Sequence, residues 1–312
     1  MPRTAPSVLS VALFAVVLLG ALSLGLLAVG QPSSAGAGPL VLPNPAPLSS
    51  VRYDEPPLKV LLVGDSMAGS LGVGLGELAG ANNVELANAG TPGCSLSMDG
   101  LFTITYRPFV ERPGLPCVLD HPQQLLATWQ SWVDAFRPDV VLYVARSDLL
   151  DQEIQGSWMH VGERRFNNWY RARLAAGIRV LASRGAHVVL MTEPVSDEQA
   201  INRRPQDSAR RVAQNGALLR MAAAATPATV SVYDLSQLLT PDFHYRATAD
   251  DLPLRCADGV HLTADAGVIV AGDLYPRLWA LAGSHRVVGG GHWVHGSVPT
   301  STPSWYPSLP CG

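Results

Sequence analysis

Apolar positions along the chain fall into three regimes. The first is one unbroken run: residues 8–29 (VLSVALFAVVLLGALSLGLLAV) carry no charge over 22 positions. At ~1.5 Å per residue, a helix of that length reaches roughly 33 Å, enough to cross a bilayer core of ~30 Å. The second regime, residues 31–57, is rich in Pro, Ser, Gly and Ala and has no hydrophobic period, so it reads as a flexible stalk. The third begins near residue 58. Five short apolar runs, mostly β-branched, span residues 59–63, 84–87, 140–144, 187–191 and 229–233. Each reads as a strand buried on both faces. Between them lie helical patterns at 67–78, 122–136, 166–183 and 208–225, and a last helix at 263–281 follows a long loop. Regular alternation of strand and helix implies right-handed crossovers and a parallel sheet. The expected fold is a three-layer α/β/α sandwich around a five-stranded, flavodoxin-like parallel sheet, preceded by one transmembrane helix. In such a fold the site lies at the carboxyl ends of the strands. The chain divides into an anchor or signal segment (1–30), a linker (31–57), a folded domain (58–282) and an irregular tail (283–312).

Charge and cysteine usage add a compartment. The formal net charge is −3, with 22 Lys+Arg against 25 Asp+Glu, so there is no basic field to hold nucleic acid. Only Arg3 and the amino terminus precede the apolar run, which puts the N-terminus in the cytoplasm. An uncleaved anchor is the expected reading, because the run exceeds the ~7–15 residues of a signal-peptide core. A cleaved signal, with Ala28-Val29-Gly30 as its small-residue site, is the alternative. Either way, everything after Gln31 is exported. Cys94, Cys117, Cys256 and Cys311 form an even set, suited to an oxidising compartment. Three pairings are open. Cys94 and Cys117 bracket one loop, which favours that bridge and leaves Cys256 with Cys311. No Cys-x-x-Cys occurs, and His292 and His295 have no Cys or carboxylate near them in sequence, so neither a metal nor a cofactor is expected.

Two short segments carry chemistry. The first strand ends in Gly64-Asp65-Ser66 and a helix starts at once, so Ser66 sits on a strand-to-helix turn at a helix N-terminus. Such a serine can cap its helix or act as a nucleophile. Asp258-Gly259-Val260-His261 lies in the loop before the last helix. A serine hydroxyl needs a base to take its proton; imidazole does this near neutral pH, and a carboxylate fixes its tautomer. One turn can bring Asp258 and His261 together to Ser66. Glu193-Pro194 follows the fourth strand at the same expected edge, where a side chain can meet substrate. Trp129, Trp132, Trp158 and Trp169 read as packing residues. Arg203, Arg204, Arg210, Arg211 and Arg220 read as a solvated helix face.

Together these segments resemble the SGNH (GDSL-like) hydrolase family, from about Leu58 to Trp279. Gly64-Asp65-Ser66 with Ser70 looks like the first family block, and Asp258-Gly259-Val260-His261-Leu262-Thr263 like the last. The resemblance implies Ser66 as nucleophile and Asp258 and His261 as its partners. Asn88-Ala89-Gly90-Thr91-Pro92-Gly93 looks like the second block, which implies that the Gly93 backbone N–H donates to the oxyanion. The third block departs: where the family has Gly-x-Asn-Asp, this chain has Ala145-Arg146-Ser147-Asp148. Ser147 stands in the position of the donor Asn, with Arg146 as an alternative donor. The chain is similar above all to bacterial SGNH domains fused behind multi-spanning acyltransferase modules. Those domains also lack the third-block Asn, carry a Cys after the second-block Gly and another before the next helix, and have an Arg-Pro-Asp-Val-Val run like residues 137–141. Such proteins O-acylate exported glycans. The resemblance thus implies hydrolysis or transfer of acyl esters on cell-envelope glycans, with an acylated carbohydrate as substrate and a membrane acyltransferase as partner. A glycan-binding or scaffolding domain without catalysis is the alternative, which the altered third block favours.

Overall fold

The computed structural model describes residues 55–97, 102–103, 122–197, 208–282, 303–309 and 311. The expected membrane span at 8–29, the stalk up to residue 54, and Cys117, Arg203, Arg204, His292 and His295 lie outside the described residues. Among the described residues, no helix is long and apolar enough to cross a membrane.

Five strands form one parallel sheet: β1 (Leu58–Gly64), β2 (Val84–Gly90), β3 (Val140–Val144), β4 (His187–Met191) and β5 (Val230–Tyr233). Their spatial order is β2-β1-β3-β4-β5, the order of a flavodoxin-like sheet. Among the described residues six α-helices accompany them: α1 (Ser66–Ala79), α2 (Pro122–Phe136), α3 (Arg164–Leu181), α4 (Ser208–Ala225), α5 (Leu235–Leu239) and α6 (Ala264–Ala282). Side chains alternate across the pleat, and both faces are apolar. Val60 and Leu62 point into a core shared with Met67 and Leu71 of α1 and Val270, Leu274 and Leu278 of α6. Leu61 and Val63 point the other way, into a core with Trp129 and Val133 of α2, Tyr170 and Leu174 of α3, and Leu219 of α4. Two apolar faces on each central strand therefore produce the three layers.

Register sets the site. Gly64 pairs with Gly90 of β2 and with Val144 of β3. The carboxyl ends of these three strands are level, and the loops that follow all leave from one edge.

The observed elements begin or end within a few residues of the periodic runs. Absent from the sequence reading are α5, a ribbon of Phe102–Thr103 with Asp151–Ile154 and Ser157–Met159, and a two-residue pair at Thr248–Ala249 and Leu252–Pro253. These strands are two to four residues long, too short for an alternating pattern to stand out.

Candidate active site

The turn after β1 is shaped by a glycine. Gly64 has φ +140°, and a Cβ there would lie 1.8 Å from the Val144 carbonyl oxygen. No side chain fits, so β1 and β3 approach closely at their ends. Asp65 then caps α1, its Oδ1 accepting from the Met67 N–H at 2.9 Å. Ser66 is the first residue of the helix and is partly exposed.

The turn after β2 is tied to the same place. The Asn88 amide donates to the Gly69 carbonyl at 2.8 Å, and its oxygen accepts from the Gly90 N–H at 3.2 Å. The Thr91 N–H donates to the Gly64 carbonyl at 3.0 Å, and the Cys94 N–H closes the turn onto Thr91 O at 3.0 Å. Gly93 has φ +73°, the left-handed region that favours glycine. The turn bearing Gly93 therefore adjoins the turn bearing Ser66. Cys94 is disulfide-bonded; its expected partner, Cys117, lies outside the described residues.

The third element is the loop before α6. Gly259 takes φ +67°, which turns the chain back on itself. Asp258 Oδ1 accepts from the N–H groups of Val260 and His261 at 2.8 and 3.0 Å. Its Oδ2 lies 2.5 Å from His261 Nδ1, and His261 Nε2 lies 2.8 Å from Ser66 Oγ. Ser66 and His261, 195 residues apart in sequence, are thus joined to Asp258 in one hydrogen-bonded chain.

The protonation states follow from Asp258. Burial alone would raise its carboxyl. The hydrogen bond and charge of His261, with the N–H groups of Val260 and His261, outweigh burial and hold the pKa at about 2. An ionised carboxylate only accepts hydrogen bonds, so the Nδ1 facing it carries the proton. In neutral His261, Nε2 then presents a lone pair to the Ser66 hydroxyl.

The third-block residues sit differently from expectation. Ser147 does lie at the end of β3, but both its N–H and its hydroxyl donate to Asp65 Oδ2, each at 2.6 Å. The one hydroxyl proton points to Asp65. Arg146 is buried in the 3₁₀ turn Arg146–Leu149, where its positive charge acts on Glu193. Glu193, which follows β4 at the same edge, is only 2% exposed, and both carboxyl oxygens are buried with no hydrogen-bond partner among the described residues. Burial and the nearby charge of Asp65 raise its pKa well above the usual range, against the lowering charges of Arg146 and Arg255. Two arginines read as solvated are also engaged. Arg211 pairs with Asp151 at 2.7 Å and Arg220 with Asp234 at 2.5 Å.

One residue that sequence reasoning missed is Arg255. It is buried, and desolvation lowers its pKa to about 10. Its Nη1 donates to the Val260 carbonyl at 2.6 Å and its Nη2 to the Val195 carbonyl at 2.9 Å. The Asp197 N–H adds a bond to Gly259 O at 2.9 Å. The loop holding Asp258 and His261 is thereby clamped to the segment that follows β4. Spacing carries no signal for this clamp, because its acceptors are backbone carbonyls. Asp148 was also unforeseen. Its carboxylate accepts from the hydroxyls of Tyr143 and Tyr170 at 2.7 and 2.5 Å and from the Ser97 N–H at 3.1 Å. Among the described residues no cluster of His, Cys, Asp and Glu is arranged to hold a metal ion.

The family model described as the SGNH domain (fused to AT3 domains) matches residues 40–276. No curated protein sequence matches the chain. Among solved structures, it is similar to a GDSL-like lipase from Bacteroides thetaiotaomicron, at 14% identity and a TM-score of 0.47, covering 74% of this chain and 92% of that one. It is also similar to an acetylxylan esterase from Geobacillus stearothermophilus, at 18% identity and a TM-score of 0.43, covering 76% and 96%. The family match spans well over half of the sequence, and the chain belongs to the SGNH family, the domain found fused to AT3 domains.

Proposed function

We propose that this chain is a membrane-tethered, extracytoplasmic enzyme that hydrolyses or transfers acyl esters on cell-envelope glycans. The observation that carries the proposal is the hydrogen-bonded chain from Ser66 through His261 to Asp258. Ser66 Oγ attacks the ester carbonyl while His261 Nε2 takes its proton. The oxyanion accepts from the backbone N–H groups of Ser66 and Gly93. Collapse breaks the bond to the alcohol, and the departing alkoxide takes the proton from His261. Water then attacks the acyl-Ser66 ester in hydrolysis, or a sugar hydroxyl does so in transfer, with His261 again as base; the acyl–Ser66 bond breaks and Ser66 Oγ takes the proton back from His261. Asp258 stabilises the imidazolium and fixes its tautomer throughout. No cofactor enters these steps.

The uncharged run at residues 8–29 supports the tether and the exported location. The family's description as fused to AT3 domains supports a membrane acyltransferase as partner. A second reading, a glycan-binding or scaffolding domain without catalysis, draws on the Ser147 hydroxyl, which donates to Asp65 in place of an oxyanion. A fluorophosphonate probe separates the two. The enzyme reading expects covalent labelling that disappears in Ser66→Ala. An unlabelled wild-type chain would favour the binding module.

A further inference from the structure

Trp305 lies in the short described segment near the C-terminus, yet it packs against the Ser66 site. Its ring centroid is 6.5 Å from that of His261, with the planes tilted by 55°. Its six-membered ring rests on Gly69, three residues after Ser66: a Cβ on Gly69 would lie 2.2 Å from Trp305 Cζ2. The first turns of α1 thus lack a side chain just where the indole sits. Tyr306 meets Trp305 edge-on at 6.4 Å. The segment folds locally, with the Tyr306 N–H on Pro303 O at 3.0 Å and the Ser308 N–H on Trp305 O at 3.1 Å. Its far end is covalently fixed, because Cys311 is disulfide-bonded to Cys256. Cys256 stands two residues before Asp258 and donates its N–H to the His261 carbonyl at 2.9 Å. The bridge therefore fastens Trp305 to the very loop that carries Asp258 and His261.

Position decides what such a ring meets. On the acyl-ester reading, His261 must deliver its proton to the departing alcohol oxygen, so whatever flanks the imidazole flanks the alcohol half of the ester. Trp305 is only partly buried there, and an indole face is apolar, wide and rigid. The matching surface on a carbohydrate is the C–H face of a pyranose ring. We infer that Trp305 is a stacking platform for the sugar ring of the substrate, held beside His261 by the Cys256–Cys311 bridge. This inference rests on the proposed acyl-ester function for which half of the substrate lies there, and on geometry alone for the ring contact.

The test uses the full-length chain and methyl 6-O-acetyl-glucopyranoside as probe. In Ser66→Ala, which cannot turn the probe over, calorimetric titration should show saturable binding. Adding Trp305→Ala should weaken it by roughly tenfold, as loss of an aromatic contact does, and Trp305→Phe should recover most of the loss. In the Ser66-containing chain, Trp305→Ala should raise KM for this probe far more than KM for 4-nitrophenyl acetate, which has no sugar. Trp305→Phe keeps a ring on Gly69 and reads the same split should the alanine variant fold poorly. Absence of saturable binding, unchanged affinity without the indole, or equal losses on both esters would overturn the inference. Failure of the acyl-ester reading looks different: the wild-type chain would turn over neither ester, while Trp305-dependent binding persisted.

Discussion

Asp65 Oδ2 accepts both the N–H and the hydroxyl of Ser147, each at 2.6 Å. The residue next to Ser66 thereby latches the end of β3 to the start of α1. A serine in the third block can make this latch and has no second proton for an oxyanion.

Ser147→Ala accordingly acts first on stability. It deletes a hydrogen bond to a buried carboxylate, which costs about 1.5–3 kcal/mol. Urea unfolding should show that loss. The catalytic rate on a small acetyl ester should fall by less than the ~10²-fold expected for a lost oxyanion donor. A rate loss of that size with unchanged stability would return Ser147 to the oxyanion role.

Arg255 is a positioning residue for the Asp258–His261 loop. Lysine keeps its charge but lacks the fork that reaches two carbonyls at once. Arg255→Lys should lower kcat on 4-nitrophenyl acetate by roughly tenfold with little change in KM, and cost about 1–3 kcal/mol in stability. Wild-type kcat in this variant would show that the loop holds its shape without the clamp.

Glu193 makes a pH-dependent contribution whose sign is fixed by its raised pKa. A carboxyl that binds its proton more tightly when folded favours the folded state at low pH. That advantage is lost as pH rises above the ordinary value of 4.5 toward the raised one. Glu193→Gln, neutral throughout, should gain in melting temperature relative to wild type from about pH 5 to about pH 8. A constant difference across that range would mean that Arg146 and Arg255 hold Glu193 ionised.

The sheet was legible because its strands are apolar on both faces and its helices keep their period; Val60 and Leu61, side by side in sequence, feed opposite cores. The meeting of Ser66 with His261 was legible because Ser66 starts the helix after β1 and His261 lies in the loop before α6, both at the edge where parallel sheets place their sites. The burial of Glu193 was not legible for a related reason. Its place after β4 puts it at that edge, but a linear pattern does not say whether the side chain turns outward or inward. Arg211 and Arg220 looked solvated because a helix face shows only its own residues, and their carboxylate partners, Asp151 and Asp234, come from segments after β3 and β5. Trp305 was unreadable as a site residue. The Cys256–Cys311 bridge was expected and is formed, but nothing in a Gly- and Pro-rich tail announces that its indole lands beside His261.

The central claim is that Ser66, His261 and Asp258 act as one unit, and turnover of 4-nitrophenyl acetate by single and double variants tests it most directly. Ser66→Ala and His261→Ala should each lower kcat by on the order of 10³-fold or more, and the double variant should be no slower than the worse single one. Two single losses that multiply in the double variant, or a Ser66→Ala chain as fast as wild type, would contradict it.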